Sequence, residues 1–139
     1  MNYDFSKFQR YNKEMTRVVD KITLTTSKQL GFPQAFAKKH GIHEFEGVVL
    51  YWEPDSKAIA VQFTNNVAEK GFIRTVKNEK YGAYAGISTF LATHSIDPTQ
   101  YQRRYDYDVV EPLQIGAPAD SKVFVLSLKI KERSAYEES

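Results

Sequence analysis

The sequence predicts a single α+β domain, dominated by strands and built from two related β-α-β-β half-units. Short runs of alternating apolar and polar residues predict the strands, and turn residues separate these runs. Two short segments carry helix start and stop signals instead. These two segments also match each other, since AFAKKHGI at 35–42 and TFLATHSI at 89–96 share Phe, His and Ile at equivalent positions. A period this long in only two copies favours two packed half-domains over a solenoid.

The first half-unit is predicted over residues 17–64. VVDKITLTT is rich in β-branched residues and alternates in polarity, as strands do. In PQAFAKKHG, Pro33 suits the first position of a short helix and Gly41 suits its end. GVVLYWE and AIAVQF then form a predicted hairpin around the Pro-Asp-Ser turn at 54–56, where proline presets φ and aspartate caps the backbone.

The second half-unit is predicted over residues 71–132, after a polar linker at 64–70. FIRTV and AYAGI predict paired strands, and Ser88 is expected to be the N-cap of the helix in TFLATHSI. Residues 97–100 are predicted as a loop and QRRYDYDVV as one continuous strand. The last strand, predicted over 122–131, begins at the tripeptide Asp-Ser-Lys, which also precedes the last strand of the first half.

Length and composition favour one domain over residues 17–132, with an N-terminal arm at 1–16 and a polar tail at 133–139. The chain has no cysteine, which rules out disulfides and thiolate metal sites. No apolar run approaches the ~20 residues of a membrane span. We therefore expect a cytoplasmic protein without a membrane partner. The net charge of +2 permits a nucleic-acid partner without demanding one.

One set of residues in the first half, over about 17–63, follows the order strand, turn, apolar-proline step, short helix ending in Gly-Ile, and hairpin. These residues are Val19, Asp20, Leu30, Gly31, Phe32, Pro33, Phe36, Lys38, Lys39, Gly41, Ile42, Val49, Leu50, Tyr51, Lys57, Ala58 and Ile59. With them the half resembles the swapped-hairpin module of AbrB and MazE-type regulators, in which two chains interleave to form a dimer. The resemblance implies that a duplicated chain supplies both halves itself as a fused pseudo-dimer. It would be a monomer with a pseudo-two-fold axis or a homodimer.

Motifs for catalysis or metal binding are absent from the sequence. His40 and His43 are too close a pair for a metal site on their own, and no carboxylate pair with the usual ligand spacing accompanies them. His40 and His94 hold equivalent repeat positions, which favours a structural role at a helix end. Asp106 and Asp108 would share one strand face and could act as acid and base, but an exposed polar face is the favoured interpretation. We expect no enzyme, no cofactor and no metal.

Basic residues form three groups in the sequence, and aromatic residues lie close to two of them. The groups are Lys28, Lys38 and Lys39; Arg74, Lys77 and Lys80; and Arg103 and Arg104. Cations interleaved with aromatic and amide side chains suit phosphate contacts and base stacking. They predict a duplex-DNA-binding regulator or an antitoxin-like repressor. The first group would contact phosphates, and the pseudo-symmetric second surface would consist of Lys77, Lys80, Arg103 and Arg104.

Two other functions fit the same sequence. The first is a non-catalytic protein–protein interaction module, such as a mobile-element protein that blocks a host factor, because aromatic residues anchor interfaces. Its signature would be exposed Tyr51, Trp52, Tyr105 and Tyr107. The second is a single-stranded nucleic-acid binder with Tyr81, Tyr84 and Tyr101 as stacking platforms.

Overall fold

The computed structural model describes residues 5–7, 19–78 and 80–129. Most of the predicted arm at 1–16 and all of the predicted tail at 133–139 lie outside the described residues. Phe5–Lys7 form a 3₁₀ turn. The strands are β1 (Ile22–Leu24), β2 (Gln29–Pro33), β3 (Gly47–Glu53), β4 (Ala58–Thr64), β5 (Ile73–Arg74), β6 (Val76–Asn78), β7 (Gly82–Gly86), β8 (Arg103–Tyr105), β9 (Asp108–Val110) and β10 (Lys122–Ser127). The helices are α1 (Gln34–His40), α2 (Ser88–Thr93) and α3 (Pro98–Tyr101).

The predicted α+β class is confirmed, because the strands form two five-stranded antiparallel sheets with short helices between them. Sheet A has the order β6-β7-β2-β1-β8, and sheet B has the order β5-β3-β4-β10-β9. The chain crosses from one sheet to the other at Thr75 and again at residues 106–107. The two separate sheets enclose one core, and the backbone is continuous between them at these two points.

The predicted strand QRRYDYDVV is divided between the two sheets. Its first part, β8, pairs with β1 in sheet A, and its second part, β9, pairs with β10 in sheet B. The alternation of side chains continues through residues 106–107, so local sequence carries no mark of the change in partner. That change depends on which distant strands offer a free edge, which is why a single strand was the wrong prediction.

The inner faces of the two sheets share a core of phenylalanine rings. Phe32 from β2, Phe63 from β4, Phe124 from β10 and Phe36 from α1 are each at most 1% exposed. The ring centroids of Phe32 and Phe63 lie 5.0 Å apart, and those of Phe36 and Phe124 lie 4.9 Å apart. Edge-to-face contacts of this kind stabilise a core beyond the area that they bury. The cluster thus joins sheet A to sheet B through α1.

The first helix ends where its local signals predict, whereas the later helices differ from prediction. Pro33, predicted as the first residue of α1, is its N-cap instead, and Gly41 follows the helix in the left-handed conformation with φ 63°. Ser88 is the first residue of α2 rather than its N-cap. The loop predicted at 97–100 is instead α3, because Asp97 accepts a hydrogen bond from the second helical N–H and proline occupies the first helical position.

The two half-units predicted at 17–64 and 71–132 are interleaved in both sheets. β2 pairs with β7 in sheet A, and β4 pairs with β10 in sheet B, so each sheet contains strands of both halves. Phe36 is fully buried, but Phe90 is only partly buried, so the inward prediction holds fully for the first repeat alone. The internal duplication itself stays a prediction.

The outer faces of the two sheets differ in their cover. A 3₁₀ turn at Pro112–Ile115 leads to Ala117, which packs with Ala60 and Val123 over the outer face of sheet B. Gln62 on that face is 0% exposed. The outer face of sheet A, by contrast, presents exposed side chains to solvent. The open outer face of sheet A is therefore the more accessible surface for a ligand.

Candidate nucleic-acid interface

A row of five residues crosses the outer face of sheet A from one edge to the other. Strand register places Val76, Tyr84, Gly31, Thr23 and Arg104 opposite one another in that order. Val76 is 49% exposed, Tyr84 is 39% exposed and Arg104 is also exposed. Since neighbouring strands lie about 4.8 Å apart, the row spans about 19 Å. It places an aromatic ring and a cation on one flat surface.

The middle of this surface is low because its side chains are small. Gly31 has no side chain beside Tyr84, and a Cβ there would lie 3.6 Å from the Cβ of Thr23. Gly86 pairs with Gln29 one row further, and nothing lies within 4 Å of where its Cβ would be. A planar ligand could therefore approach the Tyr84 ring without displacing a neighbouring side chain.

The charges on this face are mostly positive. Lys21 lies opposite Asp106 in the same antiparallel register, and the two form an ion pair. Arg104 lies one row further along β8, opposite Thr23, and has no carboxylate partner in the described part of the chain. Arg103 lies opposite the buried Leu24, so by strand alternation its side chain leaves the other face of β8, where its guanidinium lies 5.2 Å from the Tyr105 ring centroid. Cations of this kind suit a phosphate backbone crossing the sheet.

The structure separates the first group of predicted phosphate contacts, Lys28, Lys38 and Lys39. Lys28 lies in the β1–β2 turn, where its carbonyl accepts a hydrogen bond of 2.9 Å from the N–H of Ile87. Lys38 and Lys39 lie on α1, beyond the other end of β2, and five strand residues span about 16 Å. Lys39 also donates a 2.9 Å hydrogen bond to Asp20. The prediction of one compact phosphate-binding cluster is therefore wrong.

The second predicted surface is also divided. Lys77 lies on β6 and Lys80 in the turn that follows, whereas Arg103 and Arg104 lie on β8. These strands form opposite edges of sheet A. The ammonium of Lys80 lies 5.4 Å from the ring centroid of Tyr81, which is 69% exposed. The two pairs of cations thus flank the open face rather than forming one patch.

Most of the aromatic residues proposed as a protein-binding signature are not exposed. Tyr105 is 5% exposed, and Trp52, Tyr51 and Tyr107 are only partly exposed. Trp52 packs against the rings of α2, and the hydroxyl of Tyr51 donates to the buried side chain of Gln62. The prediction of four exposed rings is wrong, because each ring has a long-range partner that alternation alone cannot reveal.

Of the three predicted stacking platforms, the structure leaves two available. Tyr84 and Tyr81 are exposed, on β7 and in the turn before it. Tyr101 is partly buried against the core, and its hydroxyl accepts a 3.0 Å hydrogen bond from Lys57. No local sequence signal marks Thr23, Gly31 or Val76, because their place in the row depends on the cross-strand register.

A polar network fixes the end of α1 to the junction between β8 and β9. The Tyr107 hydroxyl donates to Asp20 at 2.6 Å, and Nε2 of His40 lies 2.7 Å from the same hydroxyl oxygen. Because the hydroxyl proton is directed at Asp20, Nε2 carries a proton and donates to Tyr107. Lys39 donates to the second carboxylate oxygen of Asp20. Sequence reasoning missed this network, since Tyr107 lies 87 residues from Asp20.

The network perturbs the protonation equilibria of its members. The hydrogen bond from Tyr107 and the contact with Lys39 lower the pKa of Asp20. Burial lowers the pKa of His40, and burial together with Asp20 raises the pKa of Tyr107. At neutral pH the network therefore holds a carboxylate, a neutral imidazole and a neutral phenol. With its pKa raised, the Tyr107 phenol stays protonated at neutral pH and is a poor acid, which favours a structural role for the three residues.

Within residues 5–7, 19–78 and 80–129, no group of three or more His, Cys, Asp or Glu residues could hold a metal ion. No helix in the same part of the chain is long and apolar enough to cross a membrane. No family model, curated protein or solved structure matches this chain. The surface of sheet A and its surroundings are therefore the features of this chain that bear on its function.

Proposed function

We propose that this chain is a non-catalytic nucleic-acid-binding protein that holds a single strand across the outer face of sheet A. The observation that carries the proposal is the row in which exposed Tyr84 and exposed Arg104 lie on one flat surface, with Gly31 and Thr23 between them. Aromatic side chains on an open sheet stack with unpaired bases, and cations beside them bind the phosphates. The proposal includes a cytoplasmic location and requires no cofactor.

The geometry favours a single strand over a duplex. Tyr84 can stack only on a base that is unpaired or splayed out, because the bases of a duplex are stacked on each other. The cations that a duplex would need as one cluster are separated, and Lys39 is engaged by Asp20. A single strand needs only a few cations along its path, and Arg104 and Lys80 lie at the two edges of the face.

A duplex-DNA regulator of the AbrB or MazE type is the second candidate. Lys28 and Arg103 support it, because the β1–β2 turn and the Leu24 end of β8 lie at the same end of sheet A. Two cations at a sheet end could contact phosphates on one side of a groove. This candidate predicts binding that depends on Lys28 and leaves Tyr84 without a role.

The deciding experiment is fluorescence anisotropy with labelled oligonucleotides of about 20 nucleotides, as a single strand and as a duplex. Titrations at about 50 mM and about 200 mM salt measure the electrostatic share of binding. We expect the single strand to bind more tightly than the duplex, with affinity falling as salt rises. No binding of either form at about 50 mM salt would refute the proposal, and a preference for duplex would favour the second candidate.

Variants at Tyr84 separate stacking from charge. Tyr84→Ala should weaken single-strand binding roughly 5- to 150-fold, since base stacking on a ring is worth about 1–3 kcal/mol. Tyr84→Phe keeps the ring and should bind within about twofold of the wild type. Arg104→Ala should reduce the salt slope by about one unit at most. Lys70→Ala, an exposed cation in the loop after β4, is the matched control and should change neither quantity.

A further inference from the structure

An open groove lies at the seam between the outer edges of the two sheets. It has a volume of about 850 Å³ and runs between β8 on one side and the end of β10 on the other. Its lining includes Arg103, Arg104, Tyr107, Asp108, Ser127 and Lys129. The groove exists because β8 pairs with β1 of sheet A and not with β10 of sheet B.

Strand pairing shows where the seam opens. β10 pairs with β9 as far as Val125 opposite Asp108. Continuing the same register would place Ser127 opposite residue 106, but that pair is not formed. β10 nevertheless continues along β4 to Ser127 opposite Ala58. The last residues of β10 therefore have a strand partner on one side only.

The direction of the backbone groups at each edge follows from the alternation of antiparallel hydrogen bonds. On β10, the N–H of Leu128 donates to the carbonyl of Lys57 at 2.8 Å, so the next residue, Ser127, directs its N–H and C=O away from β4. In sheet A, the N–H of Thr25 donates to the carbonyl of Gln29 at 3.0 Å. By the same alternation Arg104, opposite Thr23, directs its N–H and C=O away from β1.

Two strand edges thus face the groove with backbone donors and acceptors that the described strand ladders leave open. An edge of this kind is a template for an additional strand. The walls also select side chains. Apolar surface comes from Tyr105, Tyr107 and Val125. Lys21 and Asp106 form an ion pair, which leaves three cations, Arg103, Arg104 and Lys129, and one carboxylate, Asp108. The groove therefore carries a net positive charge.

We propose that the groove binds an extended peptide segment of a partner protein, in which apolar and acidic residues alternate, by strand addition between β8 and β10. The backbone of Arg104 and of Ser127 would form the flanking hydrogen bonds. Alternate side chains of the peptide would face the apolar wall, and the acidic ones between them would meet the arginines and Lys129. This inference goes beyond the nucleic-acid proposal, because it also requires the backbone groups of Arg104 and Ser127, which the nucleic-acid proposal does not use.

The test uses fluorescence anisotropy with the full chain and a labelled hexapeptide of alternating valine and glutamate. Three comparison peptides define the mode of binding: valine alternating with lysine, the acidic peptide with its sequence order scrambled, and the acidic peptide N-methylated at alternate residues. Strand addition predicts that only the unmodified alternating acidic peptide binds, because N-methylation removes backbone donors and the other two change the charge or the alternation. Equal binding of the N-methylated peptide would overturn the proposal.

Protein variants test the same site from the other side. Ser127→Pro removes the N–H that faces the groove and should weaken peptide binding roughly 3- to 10-fold, as expected for one backbone hydrogen bond. Ser127→Ala is the matched control, because it removes the hydroxyl bond to Ser56 but keeps the N–H. Lys129→Glu should weaken the acidic peptide and favour the lysine peptide, whereas Lys70→Glu, far from the groove along the chain, should not reverse the preference.

Each outcome decides the inference, even if the proline variant fails to fold. In that case the N-methylated peptide and the reversal by Lys129→Glu still test the backbone and charge contributions. Absence of binding by the alternating acidic peptide at up to about 1 mM would overturn strand addition, whatever the oligonucleotides do. Equal weakening by Ser127→Ala and Ser127→Pro would also overturn it, because the hydroxyl and not the backbone would then be responsible.

Discussion

Replacing Phe36 should destabilise the domain far more than replacing Phe90, although the two residues hold matching positions in the repeat. Phe36 is 0% exposed, and five rings lie with their centroids 4.8–6.5 Å from its own. These rings belong to Phe32, His40, Phe63, Tyr107 and Phe124. Phe36→Ala would leave a cavity between both sheets, and such changes cost about 3–5 kcal/mol.

Phe90 has a smaller set of contacts. Its ring packs against Trp52 at 6.3 Å and His94 at 4.8 Å, and the rest of the side chain is partly exposed. Since full burial of a phenylalanine is worth about 1.5–3 kcal/mol, removing a partly buried one should cost about 1–2 kcal/mol. The domain is expected to have a total stability of about 5–15 kcal/mol, so both changes are measurable but only the first is severe.

Urea unfolding followed by circular dichroism measures both free energies. Trp52 is the single tryptophan, and it touches Phe90, so its fluorescence gives an independent signal from the same titration. Phe36→Leu and Phe90→Leu serve as controls that keep most of the volume and should cost about 1.5 kcal/mol or less. A cost for Phe90→Ala equal to that of Phe36→Ala would refute the reasoning, as would a cost below about 1 kcal/mol for Phe36→Ala.

Three further predictions concern the polar network and the glycines. Folding lowers the pKa of Asp20, so its ionised carboxylate stabilises the folded state above about pH 4, and this stabilisation is lost as pH falls through the lowered pKa. The difference in unfolding free energy between wild type and Asp20→Asn should therefore become smaller when urea unfolding is repeated at progressively lower pH. The pKa of His40 is lowered from 6.5, so the folded state resists protonation, and His40→Gln should lose less stability than wild type between pH 7.5 and 5.5. Gly82→Ala should cost about 1–3 kcal/mol of folding stability, because φ is +107° and a Cβ would lie 2.0 Å from a β2 carbonyl oxygen. Gly86→Ala should be tolerated, because nothing lies within 4 Å of its Cβ position, and thermal unfolding should distinguish the two variants.

Much of the fold could be predicted from local signals. The hairpin of β3 and β4 follows from alternating residues around a turn, and α1 follows from Pro33 and Gly41. Each of these signals depends on residues that are close in sequence, so no distant strand is needed to interpret it. The short helix α3 was missed although Asp97 and the following proline are helix-start signals, because four residues offer no periodicity.

The candidate site was harder to predict, because it depends on pairing between distant strands. Tyr84 and Arg104 lie on separate strands of the second half, and they share a row only through β2 and β1 of the first half. Lys28, Lys38 and Lys39 are close in sequence, but β2 separates them in space. Sequence distance and spatial distance therefore disagree in both directions, which explains why the predicted clusters of cations are divided.

The two outer faces indicate why a ligand is expected on sheet A rather than on sheet B. The second half carries a connection between β9 and β10 that the hairpin of β3 and β4 lacks, and its residue Ala117 packs over the outer face of sheet B. Gln62 on the same face is fully buried and accepts a hydrogen bond from the Tyr51 hydroxyl. Sheet A carries polar and aromatic side chains where a purely structural face could be sealed in the same way. β8 pairs with β1 and not with β10, so the groove opens at the edge of sheet A, beside its exposed outer face.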